Sequence, residues 1–348
     1  MCRSTFNIIR HLRITAFCLC LAAVLGIGGW VCLKQLSLCQ ARVQQQCDLI
    51  IDERIQKIDA IRDTIDHARF SGKNAEKATG DDVHSLQQMK EAVTTSLDEQ
   101  KAALYSLYGC CAGQGVFETV PETVSRTVPE TDPLIAHYQT ILEHLDEYEP
   151  YLITFLMRDS SRVDFVLDWP NRTQYQTPPA TIAASIETFP LIIQWEKVWG
   201  YLPYGDGEIY QNGCAPTALS MVLSYLKHDR SLTPWKIASY AQENGYWIEN
   251  EGTAWSFMEE APSHFGAQST SIPTTKEALT QNLLAGRPVI ASMQPGDFTT
   301  VGHFIVLVSM QDGKVLVHDP NSYKNSTLWD MDTVLQQTSA LWAFWAAS

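Results

Sequence analysis

The sequence predicts an α+β fold in its C-terminal part, helices first and an antiparallel sheet second, preceded by a transmembrane helix and a helical stalk. Three observations carry this. Apolar residues recur at helical spacing through residues 35–110. Between Cys214 and Gly286 each apolar run is bracketed by helix start and stop signals. From Arg287 to Ala346 short strand-like runs take over. At 348 residues the chain is long enough for about two domains, and 45% hydrophobic content allows a sizeable core.

Ile14 to Leu33 carries no charge, and about 20 such residues span ~30 Å of hydrocarbon as a helix. Arg3, Arg10 and Arg13 precede it, so the positive-inside bias keeps the N-terminus in the cytoplasm and exports the rest. Residues 1–34 therefore read as tail and anchor at the cell membrane, with the C-terminal domain extracytoplasmic. The alternative is a cleaved signal peptide and a secreted protein; such peptides have a shorter apolar core, about 7–15 residues. Trp30, Cys32 and the immediate Lys34 suit an anchor better than a small-residue cleavage site.

Residues 35–110 read as a stalk. Val43, Cys47, Ile51, Ile55, Ile58 and Ile65 mark a helix over Gln35–Phe70, and Ser71–Asp82 is a polar loop with two glycines. Leu86, Met89, Val93, Leu97, Leu104 and Leu107 stripe a second helix. The pair forms either an antiparallel hairpin or an intermolecular coiled coil through which chains self-associate. Residues 111–133 are a linker holding two Thr-Val-Pro-Glu-Thr copies, at 119–123 and 127–131. Residues 134–190 form a small helical segment, with Asp132 capping Leu134–Tyr148, Pro133 in its first turn and short helices within Tyr151–Trp169. This segment is expected to pack on the C-terminal domain, residues 191–348. Asn171 and Asn325 open glycosylation sequons.

The formal net charge of −14 argues against a nucleic-acid surface, which needs clustered Lys and Arg. No phosphate-binding glycine loop, HExxH or paired CxxC is present, so neither a cofactor nor a metal is expected. Eight of the nine cysteines precede residue 112, which leaves Cys214 without a disulfide partner in its own domain.

Cys214 opens an apolar helix, with Pro216 in its first turn and Met221, Val222, Leu223 and Leu226 on its core face. Thr233-Pro234 starts a second helix that Gly245 ends. Thr253 opens a third, with Pro262 ending or kinking it before Gly266. Thr274 and Glu277 make a capping box for a fourth that stops at Gly286. Strands follow at Arg287–Met293, His303–Met310, Lys314–Asp319 and Ala340–Ala346.

A thiol attacks as a thiolate, and a free cysteine titrates near ~8.5. A helix N-terminus and a neighbouring imidazole both favour the charged form. The Cys214 helix start supplies the first, and the small residues Gly213 and Ala215 let a substrate backbone approach. His303 supplies the second if its hairpin has the right register. A three-residue turn, Gln311-Asp312-Gly313, pairs Met310 with Lys314 and sets Asp319 opposite Ile305, on the face of His303. A two-residue Asp312-Gly313 turn puts Asp319 on the other face. The longer turn is therefore expected, with His303 as general base and Asp319 orienting its ring. Asn321 is the reserve orienter. His318 alternates to the other face and is structural.

These pieces resemble the C39-like subgroup of papain-fold cysteine peptidases over about Leu191–Trp345. The resemblance rests on Leu191–Gly205, Gly213-Cys-Ala-Pro-Thr-Ala-Leu-Ser-Met-Val222, Gly302-His-Phe-Ile-Val-Leu307 and His318-Asp-Pro-Asn-Ser322. It implies a papain-like fold and cleavage of a peptide or protein substrate, with Cys214 as nucleophile, His303 as base and Asp319 as third member. It also implies a glutamine donating to the oxyanion, carried onto Gln194 with Gln211 as the alternative. Ala215 stands where the family usually has glycine. The competing reading is a non-catalytic module that binds peptides in the same cleft.

Overall fold

The computed structural model describes residues 29–112 and 132–347, divided at Pro150 into two compact units. In the first, the helices Gly29–His67 and Gly80–Ala112 run antiparallel. Arg62 pairs with Asp98 and Lys101 with Asp59, so residue numbers rising on one helix fall on the other. Ile51, Ile58 and Ile65 are buried along with Leu86, Met89, Val93, Leu97 and Leu104. Over these residues the apolar stripes are thus covered within the chain, as in a hairpin, and a coiled coil is not supported. The loop expected over Ser71–Asp82 contains a short helix, Gly72–Lys77. It is tied down by Ser71 donating to Asp146 and Asn74 donating to the Tyr148 carbonyl. Pro133–Glu143 is helical, and the Asp132 side chain accepts from the Leu134 N–H as a cap should.

The segment expected as one piece over 134–190 is divided. Pro133–Glu143 packs against both hairpin helices, whereas Pro150–Arg158 and Val163–Leu167 lead into the C-terminal unit. Among the described residues no helix is long and apolar enough to cross a membrane. Most of the expected anchor, residues 14–28, lies outside the described residues, as do the repeats of the linker.

The second unit is built on a six-stranded antiparallel sheet. Two small hairpins precede it, β1 (Pro203–Tyr204) with β2 (Gly207–Glu208) and β3 (Trp247–Ile248) with β4 (Gly252–Thr253). The sheet strands are β5 (Ala267–Ile272), β6 (Val289–Met293), β7 (His303–Gln311), β8 (Lys314–His318), β9 (Leu328–Asp330) and β10 (Thr338–Ala346). Their order is β5-β10-β6-β7-β8-β9. Phe304 and Val306 of β7 join Ala218, Leu219 and Val222 of the helix Cys214–Lys227 in one core. The alternate residues Ile305 and Leu307 face a second core with Leu279, Leu283 and Val334. Both faces of the central strands are therefore covered, which is why Val289–Met293 is an unbroken buried run.

The helices Cys214–Lys227 and Pro234–Glu243 stand where the caps place them. Thr253 belongs to β4, and the helix after it spans Ser256–His264. The next cap is Thr275, not Thr274; its hydroxyl oxygen accepts from the Ala278 N–H. β5 escaped the sequence because it is an edge strand whose middle, Gln268-Ser-Thr-Ser271, lacks apolar alternation.

The β7–β8 hairpin corrects one expectation and reaches its purpose by another route. Gln311 pairs with Lys314, so the turn has two residues. Asp312 and Gly313 sit at φ +51° and +77°, the left-handed pair that a tight hairpin turn requires. Further along, Ser309 pairs with Leu316 but Leu307 with Val317, so Val308 is an extra residue that shifts the register by one. The ladder ends with Val306 against His318, which brings Asp319 level with Ile305. The bulge makes up the residue that the turn lacks.

Candidate active site

Gly213 ends the short helix Ile209–Asn212 and precedes the long helix that opens at Cys214. A Cβ at 213 would run into the Ile209 carbonyl, so glycine is needed for packing. Ala215 is fully buried in the core, so its small size serves packing and not substrate approach. Cys214 is a free, half-buried thiol in the first turn, where backbone N–H groups lack intrahelical acceptors.

His303 opens β7 and is buried. Its Nε2 lies 2.7 Å from Asp319 Oδ1, and Cys214 is near enough to add to the influences that favour its charged form. With Nε2 engaged, Nδ1 is the nitrogen left for sulfur. Burial is the largest influence on this imidazole and opposes its charge. The Asp319 charge and hydrogen bond, with help from Cys214, outweigh it and push the His303 pKa up to about 10.

Asp319 is fully buried, and its carboxylate accepts hydrogen bonds on both oxygens. Its Oδ1 accepts the Asn321 N–H at 2.8 Å, and its Oδ2 accepts from Asn325 Nδ2 at 3.0 Å. The Asp319 N–H donates to Ser326 Oγ at 3.0 Å. The loop 319–326 is thus folded around the carboxylate. Asn321, the reserve orienter, turns its side-chain oxygen to Arg162 Nη2 at 3.1 Å instead of to the imidazole.

Gln194 is buried, and its Nε2 donates to the Tyr210 carbonyl at 2.8 Å. Its backbone N–H donates to the Pro320 carbonyl at 2.7 Å. The stretch 195–211 loops out between, so Gln194 is tied to the turn before Cys214 and to the Asp319 loop at once. Its Oε1 is buried with no hydrogen-bond partner. Gln211 is exposed and committed to the capping box with Glu208. His318 is held by the Pro190 carbonyl at 3.0 Å and packs on Phe189, a structural placement. Burial pushes Glu196, two residues after Gln194, up to about 7, with a hydrogen bond from the Ile193 N–H opposing.

Arg162, Asn325 and Ser326 escaped the sequence reading. Asn325 was visible only as a sequon, and nothing marks Arg162 as a neighbour of a loop 159 residues away. Among the described residues no cluster of His, Cys, Asp or Glu could hold a metal ion.

Helices followed by an antiparallel sheet, with a thiol at the start of the first long helix of that region and an imidazole on the sheet, define the cysteine-peptidase class of fold. Residues 186–347 match the model of the Peptidase_C39 like family. No curated protein matches the sequence. Among solved structures, the peptidase domain of Streptococcus ComA, a bi-functional ABC transporter involved in quorum sensing, is 19% identical. That match covers 42% of this chain and 99% of the other, with a TM-score of 0.32. A putative C39-like peptidase from Bacillus anthracis is 17% identical over 47% of this chain and 98% of its own, with a TM-score of 0.33.

Proposed function

We propose that the C-terminal domain is a thiol hydrolase that cleaves peptide or amide bonds through Cys214, His303 and Asp319. The observation that carries this reading is the buried imidazole hydrogen-bonded to a carboxylate, with the Cys214 thiol near it and its charged form favoured. The thiolate attacks the substrate carbonyl carbon and the oxygen takes the electron pair. The Cys214 N–H and the second Gln194 Nε2 hydrogen, the one not given to Tyr210, are the candidate oxyanion donors. The His303 imidazolium gives its proton to the leaving amine, and a thioester remains on Cys214. Water then gives a proton to His303, attacks the thioester carbonyl, and releases the acid and the thiolate–imidazolium pair. Asp319 keeps its charge throughout and holds the ring. In the same proposal residues 14–33 anchor the chain and the domain acts outside the membrane; uncharged sequence and flanking arginines support this.

The test is alkylation of the full chain with iodoacetamide over roughly pH 5 to 9, read by mass spectrometry on the peptide containing Cys214. Fast labelling at the acid end, lost in His303→Ala, is expected. Equal, slow labelling in both proteins would hand the domain to the peptide-binding reading.

A further inference from the structure

Arg162 is a buried cation that the chemistry above does not use. It is 6% exposed, and it makes no ion pair among the described residues. Its Nη1 donates to the Phe155 carbonyl at 2.9 Å, and its Nη2 donates to Asn321 O at 3.0 Å and Asn321 Oδ1 at 3.1 Å. The guanidinium also lies 4.1 Å over the Phe155 ring. Burying a guanidinium is costly unless its donors are met; here the Phe155 carbonyl takes Nη1 and both Asn321 oxygens take Nη2, while Nε is buried with no partner. Asn321 O takes a second donor, Trp195 Nε1, at 3.0 Å. The N–H of the same residue donates to Asp319 Oδ1, the oxygen that holds His303.

We propose that Arg162 is a positioning residue for the thiol–imidazole pair, and that residues 151–185, ahead of the family-matched region, are part of the catalytic unit. The proposal rests on the reading of Cys214, His303 and Asp319 above. Arg162 fixes Asn321, Asn321 fixes the Asp319 carboxylate, and the carboxylate fixes the imidazole. With Nη1 on the Phe155 carbonyl and Nη2 on both Asn321 oxygens, the rigid guanidinium plane sets the orientation of Asn321, which a lysine point charge does not. The surrounding segment is locked to the domain independently: Tyr201 Oη donates to the Phe165 carbonyl at 2.6 Å, and Phe165 stacks on Tyr201 at 4.3 Å. Loss of Arg162 alone therefore need not unfold it.

The experiment is the pH profile of Cys214 alkylation by iodoacetamide in the full chain, with Arg162→Met, Arg162→Lys and His303→Ala beside wild type and melting temperatures measured on each. A displaced reacting group costs up to ~10²-fold in rate. Labelling at the acid end is expected to fall ~10- to 100-fold in Arg162→Met, with the rise in rate moved to higher pH. Arg162→Lys keeps the charge and is expected to regain only part of the rate. Either Arg162 variant, folded, with the wild-type rate and pH profile overturns the proposal, whatever its melting temperature. If Arg162→Met does not fold, the lysine variant decides alone. Slow wild-type labelling unaffected by His303→Ala would sink the underlying thiol reading instead, and the two failures are told apart by that control.

Discussion

Replacing Asp319 with Asn keeps the shape of the side chain and removes its charge. In the wild type the His303 pKa rises from 6.5 to about 10 although burial alone would lower it. At ~1.4 kcal/mol per unit, that rise is on the order of 5 kcal/mol in favour of the imidazolium. After burial, the Asp319 charge and hydrogen bond are the largest causes, ahead of Cys214. If Asp319 supplies even half of that net rise, the thiolate–imidazolium population falls ~10²-fold in Asp319→Asn, since ~1.4 kcal/mol is a factor of ten. The assay is the second-order rate of iodoacetamide labelling at Cys214 at acid pH, resolved by peptide mass spectrometry, with circular dichroism confirming the fold. The acid end of the profile should collapse while labelling at alkaline pH converges on wild type. A folded Asp319→Asn protein that labels at the wild-type rate at acid pH would refute the reasoning, because the imidazole would then owe its charge to something other than this carboxylate.

Three further outcomes follow from the geometry. In Cys214→Ala, which takes the thiol proton out of the balance, Asp319 still raises the His303 pKa. Between pH 6.5 and the raised value the native state binds more protons than the unfolded one, so stability is full below 6.5 and declines as pH climbs toward that value. Melting temperature against pH should show this slope, and Cys214→Ala/Asp319→Asn should lose it. Gln194→Ala should lower kcat by ~10²- to 10³-fold while changing Cys214 labelling far less, because an oxyanion donor acts on the tetrahedral intermediate and not on the thiolate; equal losses in the two assays would contradict that role. Gly205→Ala should destabilise the domain by ~1–3 kcal/mol in a denaturant titration, since Gly205 sits at φ +68° and a Cβ there would run into the Trp247 indole; an unchanged midpoint would show that the β1–β2 hairpin gives way freely.

The parts of the fold written as local signals were legible. Thr233-Pro234 before an apolar run, Gly245 at φ +75° after it, and the stripe from Ile51 to Ile65 each state their element within a few residues. What failed was information that lies elsewhere in the chain. β5 is a strand because β10 pairs with it, not because its own residues alternate. Thr274 and Thr275 offer the same hydroxyl, and one residue of helix phase chose between them. Cys214, His303 and Asp319 could be found because each stands at the end of a regular element. Arg162 could not, since its partner is set by how the segment after Pro150 folds back, and no periodicity records that. Asn325 advertised itself as a sequon, yet its amide nitrogen is spent on Asp319 at 3.0 Å.

The hairpin between β7 and β8 has a consequence for how this domain tolerates insertions and deletions. The chain between Ile305 and Asp319 obeys a parity rule: one residue fewer at the tip is balanced by one more at Val308. Removing Val308 alone would invert every side chain beyond it and carry the carboxylate away from the imidazole, although no residue of the site had been touched. Lengthening the tip by one residue at the same time would restore the phase. Indels in this hairpin should therefore be acceptable in compensating pairs and ruinous singly, so sequence drift at the solvent-facing tip is coupled to a position four residues away on the strand.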